Sequence, residues 1–396
     1  MTDTETRLHD YFQTQADTVP DTAEGPGLAV PGGTEPTRSR RWPVLLAAAA
    51  VAGALALTAT VLSGVTDREP SVAGIPSASS VPVPAGKPLI PYAVTVQNNP
   101  DNPLDTWWAT IHDGDRTVKN PGVQGDVLAR VDGGWLVTTG YPDPAKSQAA
   151  VVSPSGQVRP LGPLGAGYPV VSPDGRQIAV PLSKSGAPSG EVVVVDVKSG
   201  DEVARVTVTT PNLELIGWNK DGVWMNPHSP DARPVTVWQP GPSNEVRTVG
   251  NLEGEIVVAR GTGTVVQLTN KGGRKYCANA ATLGAKGLEI KREYCFDART
   301  TEGNVVAPYV ALSPDGMTMV LSTQVAVDVA TGQVSSLTLP AKARLAGGGV
   351  FENPANVVVI DDAQAEQKMF RCAVASGECK QVVTSAPDEI IKAVQP

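Results

Sequence analysis

The chain is short of the residues on which most catalytic and metal chemistry rests. Its 396 residues hold three histidines, four cysteines, four phenylalanines and five methionines, and aromatics amount to 5%. With only His9, His112 and His228 available, a histidine-rich metal site and a Ser-His-Asp triad are both poorly supported. The cysteines form no Cys-x-x-Cys pair and have no nearby histidine, which disfavours zinc. A twelve-residue calcium loop with spaced acidic ligands is missing as well. Gly347-Gly348-Gly349 is followed by no helical pattern, so it is not a phosphate cradle; it suits an inner strand crowded against an axis. Basic residues are outnumbered, with 32 Lys and Arg against 40 Asp and Glu and a net charge of −8. Nucleic-acid binding needs a concentrated basic face, so none is expected. No cofactor is expected either.

Turn chemistry is what the chain has in quantity: 40 glycines and 35 prolines, with 41% hydrophobic residues to build a core. One turn recurs. Val171-Ser172-Pro173-Asp174-Gly175 precedes an apolar run at Ile178 to Val180, and Ala311-Leu312-Ser313-Pro314-Asp315-Gly316 precedes another at Met317 to Leu321. Looser copies are Asp132-Gly133-Gly134, Trp218-Asn219-Lys220-Asp221-Gly222, Arg260-Gly261-Thr262-Gly263 and Glu352-Asn353-Pro354-Ala355. The spacing of roughly 40 to 50 residues is the length of one four-stranded propeller blade. A second signal falls between two apolar strands: Asp196-Val197-Lys198-Ser199-Gly200, Asp328-Val329-Ala330-Thr331-Gly332, Ala373-Val374-Ala375-Ser376-Gly377 and the degenerate Val152-Ser153-Pro154-Ser155-Gly156. A Ser or Thr followed by Gly is hairpin chemistry.

Six units follow, at about 123–160, 165–208, 211–249, 252–299, 304–340 and 345–384. Strands at Tyr92 to Val96, Trp107 to Ile111 and Arg116 to Val118, joined by Glu389 to Val394, predict a further blade closed by both ends of the domain. Closure removes exposed edges. The fold expected for residues 88–396 is therefore an all-β propeller, with seven blades favoured over six. The repeat resembles the TolB-like and WD-repeat-like β-propellers. That resemblance implies a fold and leaves the activity open, because this architecture hosts many functions.

Cys277, Cys295, Cys372 and Cys379 allow three disulfide connectivities. The Ser376-Gly377 turn places Cys372 opposite Cys379, and the matching Tyr-Cys contexts of Cys277 and Cys295 favour their pairing across Gly284 to Gly287. The role expected is structural, stapling blades. Asp174, Asp221 and Asp315 each precede glycine, so turn geometry accounts for them. His112, beside Asp113, Gly114 and Asp115, reads as part of a polar turn, and His228 as part of an exposed loop. Trp218, Trp224 and Trp238 fall in one unit. They either fill its packing layers or stand at a rim as candidates for holding a glycan or peptide.

The segment before the propeller has its own logic. Trp42 to Val65 carries no charge, and its roughly 24 residues can span a bilayer core. Arg38, Arg40 and Arg41 precede it. The positive-inside rule then puts the N-terminus in the cytoplasm and the propeller outside, on a single-pass cell-membrane protein. A cleaved signal is the rival reading; Ser39-Arg40-Arg41 resembles a twin-arginine signal, but Pro43 falls where an apolar residue is preferred. The expected organisation is a mostly disordered leader at 1–37, the basic flank and helix at 38–66, a Pro/Ser/Ala linker at 67–87 and the propeller. In the leader, Leu8, Tyr11 and Phe12 share one helical face, a candidate docking surface for a cytoplasmic protein. Leader, arginines and anchor together resemble actinobacterial membrane proteins encoded beside extracytoplasmic-function sigma factors, which implies an accessory signalling role.

The function expected is a binding or sensing module, taking a protein partner or a small ligand at its loops, and not an enzyme. The alternatives are an envelope assembly scaffold, as the TolB resemblance implies, and a propeller hydrolase or lyase with acidic residues at the channel mouth.

Overall fold

The computed structural model describes residues 83–396, apart from 85, 98–105, 141–142, 144, 183–188, 210–212, 228–233, 251, 253, 299, 302–303, 306–307, 341–342, 344, 346–348, 362–365 and 388. The expectations placed on Leu8, Tyr11, Phe12, the span from Trp42 to Val65, most of the linker and His228 lie outside the described residues. Among the described residues no helix is long and apolar enough to cross a membrane.

Seven four-stranded antiparallel sheets form a propeller. Six run in chain order from an inner to an outer strand. Blade 1 extends from Val127–Val131 to Val158–Leu161, blade 2 from Val170–Val171 to Glu202–Val208, and blade 3 from Leu213–Asn219 to Glu245–Gly250. Blade 4 extends from Glu255–Val258 to Gly287–Asp297, blade 5 from Val310–Leu312 to Val334–Ser336, and blade 6 from Val350–Asn353 to Cys379–Thr384. The seventh is closed by both ends of the domain, as the strand pattern predicts. Glu389–Ala393 is its inner strand, pairing with Tyr92–Gln97 in the register Tyr92 to Ala393 and Val94 to Ile391, followed by Thr106–Asp113 and Arg116–Lys119. A two-stranded ladder, Thr300–Thr301 with Asn304–Val305, lies between blades 4 and 5 and carries no repeat signal in the sequence.

The hydrophobic core explains why the ring holds. Buried apolar residues fall into seven clusters, and each contains residues of two neighbouring blades. Leu136 and Val151 of blade 1 meet Ile178 and Val193 of blade 2. Val192 and Val194 of blade 2 meet Trp218 and Met225 of blade 3. Trp224 and Val237 of blade 3 meet Ile256 and Val265 of blade 4. The series continues through blades 4 and 5, 5 and 6, 6 and the closing blade, and the closing blade and blade 1. Successive strand residues point to opposite faces, so Val223 and Met225 pack backward while Trp224 packs forward. A strand buried on both faces needs a continuous apolar run, which is why Asn356–Asp361 reads Asn-Val-Val-Val-Ile-Asp and is buried throughout.

Val83, Pro84, Gly86 and Lys87, placed in the linker by composition, and Leu89 just after it lie against blade 6. Arg371 donates to the main-chain oxygens of Pro84 (2.8 Å) and Lys87 (2.6 Å), and to Glu352 Oε2 (2.6 Å) and Oε1 (3.0 Å). Glu352 Oε1 also accepts from Leu89 N at 2.7 Å, and Lys380 Nζ reaches Val83 O at 3.3 Å. The Arg371 and Glu352 side chains are 1% and 0% exposed. This buried clamp reads only the main chain of the segment.

Both expected disulfides are present, Cys277–Cys295 and Cys372–Cys379, each with a Cα separation of 4.0 Å. Each joins directly paired residues on the third and fourth strands of one blade. They therefore staple strands within blades 4 and 6, and neither joins one blade to another.

Candidate functional site

In blades 1 to 6 the first two strands are joined by the repeated turn, so these turns gather at one mouth of the central channel. Their polar residues hold the turns themselves. Ser172 Oγ donates to Asp174 Oδ1 at 2.7 Å and accepts from Gln177 N at 3.0 Å, while Asp174 Oδ1 accepts from Arg176 N at 3.1 Å. Ser313 and Asp315 repeat the pattern with Thr318 and Met317 at 2.5, 2.9 and 3.0 Å. The Ser172 hydrogen bond is the main cause holding the Asp174 carboxyl below its ordinary pKa. The glycines follow at φ 74° and 69°, left-handed conformations that a side chain adopts poorly. Looser copies keep the bond and change the residue: Asn219 Oδ1 accepts from Asp221 N at 2.9 Å, and Asn353 Oδ1 from Ala355 N at 2.9 Å.

The second repeated turn links blades. Asp196 Oδ1 accepts from Ser199 N at 2.8 Å and Asp328 Oδ1 from Thr331 N at 2.6 Å, closing each turn locally. The preceding blade then reaches across: from its outer strand Arg159 donates to Val197 O and Arg292 to Ala330 O, and from just past it Thr338 Oγ1 donates to Gly377 O at 2.9 Å.

The turn-side mouth is braced across the ring. Arg260 of blade 4 donates through Nε to Ser172 O of blade 2 at 2.9 Å, and through Nη1 to an oxygen of the Pro396 carboxyl group at 2.5 Å. Gln395 O accepts from Arg130 N at 2.7 Å, and Gly261 N donates to Pro314 O at 2.9 Å. Beneath this brace lies a cavity of about 720 Å³. Its lining includes Val257, Val258, Leu312 and Val350 together with the charged residues Arg130, Asp132, Asp174, Arg176 and Arg260. Desolvation is the larger effect on Arg260 and lowers its pKa; Asp174 acts in the opposite sense. Gly349 lines this cavity, and a Cβ there would meet Val358 O, on the next strand of the same blade, at 2.8 Å.

At the other end of the inner strands, Glu255 and Glu214 sit on adjacent blades. Desolvation first, and then the like charge of Glu214, raises the pKa of Glu255. Asp126 accepts there from Lys392 Nζ at 2.5 Å and from Tyr168 Oη at 3.2 Å.

The residues singled out from sequence are distributed as follows. Trp224 and Trp238 are fully buried and Trp218 is 8% exposed, so none stands at a rim; they fill the packing layers on both sides of blade 3. Trp224 Nε1 donates to Asn219 Oδ1 and Trp238 Nε1 to Asn244 Oδ1, which satisfies their polar atoms inside the core. His112 lies within the strand Thr106–Asp113, and the turn begins after it. It stacks on Tyr92 with ring centroids 4.7 Å apart and bonds Thr110 and Thr117. Burial lowers its pKa, Lys87 adds to that, and Glu389 opposes it. Asp113 accepts from Trp135 Nε1 at 3.1 Å and from Arg130, tying the closing blade to blade 1. Glu293 lies beside Cys277 and Cys295, but those sulfurs are bonded to each other.

Two residues escaped the sequence reading. Arg260 appeared only as the opening of a loose turn copy. Arg371 carried a usable signal, a cation inside the otherwise apolar Met-Phe-Arg-Cys-Ala strand, which demands a buried partner.

Architecture and core together define a seven-bladed β-propeller. No family model matches the chain, and no curated protein does. Solved structures of similar fold include a functionally unknown protein from Desulfotomaculum acetoxidans, 12% identical, with a TM-score of 0.47, covering 77% of this chain and 99% of that one. TolB from Acinetobacter baumannii is 13% identical, with a TM-score of 0.40, covering 76% and 66%. A prolyl endopeptidase is 15% identical, with a TM-score of 0.47; the chain spans 42% of its length. These are likenesses of fold.

Proposed function

We propose that this chain is a binding or sensing module, carried outside the membrane on a single anchor, that takes its ligand or partner in the channel of the propeller. The observation that carries this reading is the cavity of about 720 Å³ beneath the Arg260 brace, a size typical of sites for small molecules. Its lining joins apolar residues to Arg130, Asp132, Asp174, Arg176, Arg260 and Gln395, a mixed surface that suits binding. Of the two aspartates lining it, Asp132 and Asp174, the second has Oδ1 committed to its own turn, which weighs against a hydrolase or lyase built on Asp174. The leader face of Leu8, Tyr11 and Phe12 adds a cytoplasmic docking point, so that occupancy outside has a partner to report to inside.

The test is affinity capture from the native membrane with three forms: the full chain, one lacking residues 1–37, and Leu312→Trp, which fills the channel. Partners lost with Leu312→Trp and kept without the leader support the channel reading. If every partner depends on the leader and none on the channel, the reading fails.

A further inference from the structure

Seven clusters of apolar side chains already close the ring by packing each blade on its neighbours, so closure needs no bond across the channel. Two bonds at the turn-side mouth likewise join neighbours: Asp132 N donates to Gly175 O between blades 1 and 2, and Gly261 N to Pro314 O between blades 4 and 5. Arg260 skips them. Its Nε reaches Ser172 O past blade 3, and its Nη1 reaches Pro396, where the closing blade meets blade 1 on the far side of the ring. Both anchor points are held without it. Ser172 O also accepts from Gly175 N at 3.0 Å, and Gln395, next to Pro396, pairs with blade 1 through Arg130 N at 2.7 Å and Leu128 O at 3.2 Å. The part free to move is therefore the arginine side chain alone. Its Nη2 lies over Gly175, where even a Cβ would stand 3.4 Å away, and beneath it is the cavity of about 720 Å³.

We propose that Arg260 is a gate on the turn-side mouth of the channel. With both bonds made, its side chain bars the way to the cavity; rotation away from Ser172 and Pro396 opens it while the ring stays closed. Rotamer changes are fast and leave the backbone in place, and the strength of the two bonds sets how often the open state is visited. A charged donor makes those bonds stronger than neutral ones, which favours the closed state. In its purpose the gate rests on the channel being the binding site. Its action is read without any ligand, so the gate can fail while that reading stands.

The experiment is thiol labelling of the full chain. Both pairs of native cysteines are disulfide-bonded, so Leu312→Cys places a single free thiol on the cavity wall. Its labelling rate is measured with a small reagent, methyl methanethiosulfonate, and a bulky one, fluorescein maleimide. Adding Arg260→Ala is expected to raise the rate of the bulky reagent about ten-fold or more, the change in open population that loss of a charge-assisted contact implies. Arg260→Lys, which keeps a cation and loses the fork, should raise it by a smaller factor, and it serves as the reading if Arg260→Ala does not fold. Val193→Cys is the control, because Val193 is fully buried between blades 1 and 2 and its labelling reports loosening of the ring. A rise at Leu312→Cys with none at Val193→Cys supports the gate. Equal rises at both positions show that Arg260 only holds the ring together, and they overturn it. Rates at Leu312→Cys that are the same with and without Arg260, whether fast through the other mouth or absent altogether, overturn it too. In each of these failures the channel reading is still decided by the capture experiment with Leu312→Trp.

Discussion

Replacing Arg371 with methionine tests the account of how the segment 83–89 is held. The side chain is 1% exposed, and its ion partner Glu352 is 0% exposed, so neither charge is relieved by water. In Arg371→Met, Glu352 keeps the Leu89 N–H bond at 2.7 Å but loses both guanidinium contacts, at 2.6 and 3.0 Å. The carbonyls of Pro84 and Lys87 lose their donor at the same time. Removing one partner of a buried pair costs about 3–5 kcal/mol, chiefly because the remaining charge stays buried. In Arg371→Met/Glu352→Leu no orphaned charge remains, and the segment can lift its carbonyls into solvent. The double variant is therefore expected to recover about 1–3 kcal/mol relative to the single one. Urea denaturation followed by tryptophan fluorescence reads both, and proteolysis reports release of residues 83–89 in the double variant. A cost below about 1 kcal/mol for Arg371→Met, or a double variant less stable than the single one, refutes the clamp as described.

Three other predictions follow from local geometry. Loss of Cys277–Cys295, with its sequence separation of 18, should cost about 3 kcal/mol, against about 2 for Cys372–Cys379 with its separation of 7, as melts of paired Cys→Ala variants would show. Gly316→Ala should destabilise more than Gly175→Ala: both have positive φ, but a Cβ at 316 meets Thr264 Oγ1 at 2.4 Å, whereas at 175 the nearest atom, Arg260 Nη2, is at 3.4 Å, an ordinary contact. His112 has its pKa lowered from 6.5 in the folded chain, so the unfolded chain binds its proton first as pH falls. The stabilisation is complete above about pH 6.5 and is lost progressively below it; melting from pH 8 to 5 should show this loss, diminished in His112→Phe.

The blade count, the blade boundaries and both disulfide pairings were legible in the sequence. Their determinants are local: a Ser-Pro-Asp-Gly turn closes through bonds within five residues, and a hairpin sets Cys372 opposite Cys379 by its own register. The closing blade was legible too, because apolar runs left over at the two ends of the domain had to pair to avoid open edges. What the sequence could not supply is what distant residues do to one another. Trp218, Trp224 and Trp238 read equally as core or rim, and only the packing of blades 2, 3 and 4 around them makes them core. Arg260 meets Ser172 across 88 positions, and Arg371 meets Pro84 across 287. No periodicity encodes such a pair, since the contact exists only after a ring of seven independently patterned blades has closed. Sequence alone determined the repeating unit and favoured seven copies over six; tertiary closure decided which charged side chains lie inside, and with them the candidate site.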